Sequence, residues 1–194
     1  GLVKHNGPVT NNIPQTISDL NDEFNLNLNE YASLEAQIAA IADDIAYNNH
    51  DVDDGLRAGF FTYQELRDLP LIGNIIKELP ESFENRDIQR INNEITRRST
   101  AQMVNDVLSN IETNVENNGI KDILDFRKHD AAIASFTTKM QSDVDTIREF
   151  LSERMYNHEK VRNMSINAEK TISALYDLLI DDQDLIYSKL KIKK

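Results

Sequence analysis

The sequence predicts an all-α fold, and three observations carry that expectation. Glycine and proline are scarce, 6 and 4 in 194 residues. Strand-like alternation of β-branched residues is nearly absent. Apolar residues recur instead at helical spacing.

Taken in order, the segments "HNGPVTNNIP", "NLNLN", "DVDDG" and "NNG" read as breaks between helices. Leu34, Ile38, Ile41 and Ile45 stand at i, i+4, i+7 and i+11, so residues from about 31 to 50 read as a helix with that stripe inward. "TYQELRDL" opens on a capping box, Thr62 followed three residues later by Glu65, and stops before Pro70. "LIGNIIKEL" is a short apolar helix ended by Pro80. Residues from about 85 to 116 carry Ile88, Ile91, Ile95, Met103, Val107, Leu108 and Ile111, which suit one long helix. Two further helices are expected from about 131 to 156 and 158 to 180, with a terminal turn beyond.

Bulk properties narrow the function classes. The chain is long enough for a buried core, and at 40% hydrophobic and 28% charged it is too apolar for wholesale disorder. No apolar run reaches 18 residues, which argues against a membrane-spanning helix. Cysteine is absent, so disulfides and thiolate metal sites are excluded, in keeping with a cytoplasmic protein. The net charge of −12 argues against affinity for a nucleic-acid backbone, and single-stranded nucleic acid is not indicated. A small phosphorylated ligand stays compatible, because a metal ion and a few local cations can hold one in an acidic protein. The basic tail "KLKIKK" reads as a solvated helix end.

The densest chemistry lies in "ADDIAYNNHDVDDG", residues 42 to 55, with five acidic residues, a tyrosine and a histidine. On a helix Asp43, Tyr47, His50, Asp51 and Asp54 fall on one side, with Ala36, Ala39 and Ala40 before them. The plain reading is the solvent face of an amphipathic helix. Two details weigh against it. From residue 31 to 56 the only basic candidate is His50, so the face lacks the usual i, i+4 pairing. The alanines also make its flank small and apolar. An EF-hand fails: counted from Asp51, glycine falls at the fifth position and Thr62 at the twelfth. His50 and Asp51 point about 100° apart on a helix and chelate poorly as a pair; the same dipeptide recurs at His129 and Asp130. Asp53 and Asp54 read as caps or solvated acids around a turn at Gly55. Nucleophilic catalysis finds no support, with no Cys, no G-x-S-x-G and no Gly-rich phosphate loop.

"EAQIAAIADDIAYNNHDVDDGLRAG" closely resembles a segment of bacterial deoxyguanosinetriphosphate triphosphohydrolase-like proteins, of the HD-domain dNTP triphosphohydrolase family. "GLVKHNGP", "RRSTAQMVNDVL" and "REFLSERMYNHEKVRNMSINAEKTISALYDLL" resemble the same family in the same order, so the likeness spans nearly the whole chain. The resemblance implies a helical HD-type bundle that hydrolyses a dNTP to deoxynucleoside and inorganic triphosphate. It implies a divalent cofactor, Mg, Mn or similar, held by a His, a His-Asp pair and a final Asp. That final ligand corresponds to Asp43, and Tyr47 and Asp51 correspond to residues that contact the substrate's sugar. Lys4 resembles a triphosphate-contacting lysine, beside His5, which is placed for phosphate or sugar. Arg97 and Arg98 are weaker candidates for phosphate, as is Tyr156 for a nucleobase pocket. An exposed loop lysine and histidine, surface ion pairs and a core aromatic remain the plain readings of these residues.

One departure matters. No upstream His…His-Asp pattern occurs in these 194 residues; only His5 precedes the helix. The expectation is therefore a C-terminal portion of a longer enzyme. Residues 1–116 would complete the catalytic domain, and 117–194 would form a helical region that packs on it and oligomerises. Its partners would be the dNTP, the N-terminal segment of the same protein and further copies of itself. The alternative is a catalytically silent helical module that binds nucleotides or assembles oligomers.

Overall fold

The structure, a computed structural model, describes residues 2–80 and 88–181. Those residues form helices and no strands, as the sequence predicts. The order is α1 (Gln15–Phe24), α2 (Leu34–Ala58), α3 (Ile72–Lys77), α4 (Ile88–Asn117), α5 (Ile123–Lys128), α6 (Thr138–Leu151) and α7 (Glu159–Asp181). Short 3-10 turns stand at Leu2–Lys4 and Glu65–Asp68, and a π turn at Ser152–Tyr156. The chain divides into two compact units, Gly1–Glu149 and Phe150–Lys194. The terminal turn expected beyond residue 180 and the tail "KLKIKK" fall outside the described residues.

In the first unit α2 packs along α4, and α3 with the Glu65–Asp68 turn closes on the same helix. Ser33 caps α2, its hydroxyl accepting from the Ala36 N–H at 3.4 Å. Glu35 sits in the first turn, where hydrogen bonds from its own backbone N–H and from Ser33 lower its carboxyl pKa. The expected break at "DVDDG" does not occur. Gly55 is buried inside α2, facing the ring of Phe61, and Asp53 supports the helix by pairing with Arg57 at 2.8 Å. The helix ends at Gly59 instead, with φ +71°. There the Phe60 N–H reaches the Gly55 carbonyl and the Gly59 N–H the Leu56 carbonyl, a Schellman arrangement.

The inward face of α2 also differs from the predicted stripe. Ile45 is buried, but Leu34 and Ile41 are half-buried and Ile38 is exposed. The buried positions are Gln37, Ile45, Asn48, Asn49, Val52 and Gly55. Asn48 and Asn49 satisfy themselves against the carbonyls of Asp44 and Ile45, and Asn49 also donates to the Met103 sulfur at 3.3 Å. On α4 the predicted Ile91, Ile95, Met103 and Val107 are buried, whereas Leu108 is exposed. The capping pair is present: the Thr62 N–H and hydroxyl both donate to Glu65, at 2.8 and 2.9 Å. It opens a single 3-10 turn.

Residues 131–137, expected as the start of a helix, are not helical. Three α4 side chains at i, i+4 and i+8 hold this stretch. Asn114 donates to the Ile133 carbonyl at 3.0 Å and Asn110 to the Ser135 carbonyl at 2.9 Å. Asp106 accepts from the Thr137 N–H at 2.9 Å and its hydroxyl at 2.7 Å. Thr137 then caps α6, its oxygen accepting from the Met140 N–H. That helix buries Met140, Val144 and Ile147.

The second unit, taken by itself, comprises the π turn and α7 among the described residues. The Arg162 N–H donates to the His158 carbonyl to start α7, and Asn157 closes on Ser152 at 2.9 Å.

Candidate functional site

Helix α2 presents two adjacent faces, and the predicted site residues divide between them. Asp43, Tyr47 and Asp51 follow at i, i+4 and i+8, a ladder about 12 Å long at 1.5 Å per residue. Asp43 is exposed, Tyr47 is 59% exposed and Asp51 is half-buried. Among the described residues no hydrogen bond or ion pair engages the Asp43 carboxylate, whereas Asp51 has partners.

One residue on, about 100° around the helix, Asp44 belongs to a different network. Arg148 of α6 donates from Nε to Asn48 Oδ1 at 3.1 Å and places Nη2 3.4 Å from Asp44 Oδ2. Asn48, 2% exposed, donates onward to the Asp44 backbone carbonyl at 2.7 Å. Sequence reading missed Asn48 and Arg148. The signal available was a pair of asparagines inside a helix, residues that favour caps and turns unless their side chains bond locally.

Lys4 and His5 border an open pocket of about 350 Å³ on this second face, together with Gln37, Ala40, Asp44 and Phe136. The ladder residues do not line it. Lys4 is half-buried, with Nζ donating to the Asn27 carbonyl at 2.9 Å. Lys4 stands among its lining residues and a buried amide, Gln37, forms part of its wall.

Arg97 and Arg98 meet at one carboxylate. Arg97 grips Glu94 through Nε at 2.9 Å and Nη2 at 2.7 Å, and Arg98 adds a third bond at 2.7 Å. Those hydrogen bonds, Arg97 first and Arg98 second, pull the Glu94 carboxyl down to about 2. The Glu94 charge raises Arg97 in turn. Tyr156 closes the π turn of the second unit and is half-buried.

The donor set decides what metal chemistry this chain can hold. Among the described residues no group of three or more His, Cys, Asp or Glu side chains lies close enough together to bind an ion. Asp43 offers one unengaged carboxylate and His50 stands exposed on its far turn. Among the described residues, these donors do not by themselves make a site for a divalent ion. No described helix is long and apolar enough to cross a membrane.

Comparison with known proteins finds relatives along nearly the whole chain. Residues 134–193 match the phosphohydrolase-associated domain family. Along 97% of its length the chain is 39% identical to a deoxyguanosinetriphosphate triphosphohydrolase-like protein of Caulobacter sp. (strain K31), of which it covers 49%. The chain is a relative of these triphosphohydrolase-like proteins. A namesake in Bradyrhizobium sp. (strain ORS 278) is 39% identical over 91% of the chain and 45% of its own length. Another, in Rhizobium meliloti (strain 1021), is 36% identical over 96% and 48%. The chain thus spans about half the length of the curated relatives it matches. The described residues themselves are all-α.

Proposed function

We propose that this chain forms part of a dNTP triphosphohydrolase, acting on a dGTP-like substrate to release deoxynucleoside and inorganic triphosphate. The observation that carries the reading is the 39% identity along 97% of the chain to a protein named for that activity. The geometry of α2 supports it. Asp43, Tyr47 and Asp51 form one ladder, and Asp43 is the carboxylate kept out of the Arg148 network that engages its neighbour Asp44. Asp43 is proposed as a single ligand to a divalent ion whose remaining ligands are not among the described residues. Tyr47 and Asp51 would then lie along the sugar, Tyr47 offering an exposed ring and hydroxyl and Asp51 an acceptor for a sugar hydroxyl. Lys4 supplies positive charge to the triphosphate from the neighbouring pocket, beside His5.

The test is Asp43→Ala in the complete enzyme of which this chain forms part. Triphosphate release from dGTP with added Mg or Mn should fall at least about a thousandfold, while the melting temperature stays within about 1 °C because the side chain is exposed. Retained release would overturn the assignment of Asp43. No release by the parent protein with any dNTP would favour the silent nucleotide-binding module.

A further inference from the structure

We infer that Gln37 is a positioning residue whose amide sets one wall of the Lys4–His5 pocket by holding residues 132–136 in place. Gln37 is 8% exposed and lies in the first turn of α2. Its Oε1 accepts two backbone bonds at once, from the Ile133 N–H at 2.9 Å and the Ala134 N–H at 3.1 Å. Its Nε2 donates back to the Ala32 carbonyl at 2.9 Å, just before the helix begins. One side chain therefore ties the start of α2 to a backbone stretch some 96 residues later.

That stretch has no secondary structure to fix it. Its conformation is imposed from two sides, by Asp106, Asn110 and Asn114 on α4 and by Gln37 on α2. The α4 row takes two carbonyls and the Thr137 N–H; Gln37 alone takes the two N–H groups at residues 133 and 134. Ala134 and Phe136, which the stretch carries, line the pocket together with Lys4 and His5. Loss of the Gln37 acceptor leaves two buried N–H groups without their partner, so the stretch must move to find water. Movement there changes the width of the pocket, while Asp43, on the other face of α2, is untouched. The expected consequence is weaker substrate binding with the chemical step preserved, which rests on the proposed function for the identity of the substrate.

The experiment uses Gln37→Met, of similar length with no matching acceptor, and Gln37→Glu, which keeps the acceptor and loses the donor to Ala32. Amide exchange in the full chain is read at Ile133 and Ala134, with the Met103 and Val107 amides as internal reference. In Gln37→Met the first pair should exchange roughly ten- to a hundredfold faster, with the reference pair unchanged. KM for dGTP should rise about tenfold with kcat within about twofold. Gln37→Glu keeps the acceptor and should keep slow exchange at both amides, and it serves if Gln37→Met does not fold. Unchanged exchange in Gln37→Met, fast exchange with unchanged KM, or exchange in Gln37→Glu as fast as in Gln37→Met would each overturn the inference. A parent protein without dGTP turnover would sink the proposed function instead, and exchange at Ile133 and Ala134 would then decide the clamp alone.

Discussion

Replacing Asp106 with alanine tests whether a single carboxylate anchors the end of the non-helical stretch. The side chain is half-buried and receives two bonds from Thr137, at 2.9 and 2.7 Å. Hydrogen bonds to a charged acceptor are worth about 1.5–3 kcal/mol each when buried. Partial exposure and a shared acceptor place the pair at the low end, about 2–3 kcal/mol together. Thr137 also caps α6 through Met140, so its displacement adds a fraction of a capping energy, up to about 1 kcal/mol. For a chain of this size each kcal/mol lowers the melting temperature by about 2–4 °C. Asp106→Ala should therefore melt about 4–16 °C below the parent. Urea unfolding followed by far-ultraviolet circular dichroism gives the free energies directly, which suits a protein with no tryptophan. The companion Thr137→Val keeps the N–H and removes the hydroxyl. The double variant should show a coupling of at least about 1 kcal/mol, as partners in contact do. Additive losses, or an Asp106→Ala loss below about 0.5 kcal/mol, would refute the reasoning.

Two further outcomes follow from local geometry. Gly73→Ala should destabilise by about 2–4 kcal/mol, since a Cβ there strikes the Arg67 carbonyl and Gly73 is buried in α3; equal urea midpoints for variant and parent would contradict this. Glu94 is depressed from 4.5 to about 2 by Arg97 and Arg98, so its contribution is complete above pH 4.5 and is lost as pH falls toward 2. Arg97 stands largely in water, which limits the whole contribution to about 0.5–1 kcal/mol. Glu94→Gln should flatten that share of the acid slope between pH 7 and 3; an unchanged slope would argue against the ion-pair cluster.

The long helices were legible because their apolar spacing survives in the fold: Ile91, Ile95, Met103 and Val107 are buried as predicted. The face of α2 was not. Its buried side is built from Gln37, Asn48 and Asn49, and hydrophobic periodicity has no means of seeing an amide that becomes satisfied only against a distant backbone. Gly55 looked like a turn because the glycine's task, leaving room for Phe61, is tertiary. The 131–137 stretch looked helical for the converse reason: what prevents the helix is the α4 row, not its own residues. Among site residues, spacing alone put Asp43, Tyr47, His50, Asp51 and Asp54 on one side of a helix, and it took the family resemblance to single out Asp43, Tyr47 and Asp51. The place of Lys4 and His5 beside Gln37 and Asp44 was not readable, since it is set by contacts between residues far apart in the chain.

The Gln37 and Arg148 bonds join residues 96 to 100 positions apart. During synthesis at about 5–20 residues per second, α2 emerges about 5–20 s before the segment that satisfies its buried amides. Until then Gln37 and Asn48 remain hydrated, and α2 can dock on α4 through Asn49 and Met103, 54 positions apart, before the pocket exists. The pocket wall is thus synthesised well after the helix it packs against. A ligand that occupies it binds only chains that have completed the fold.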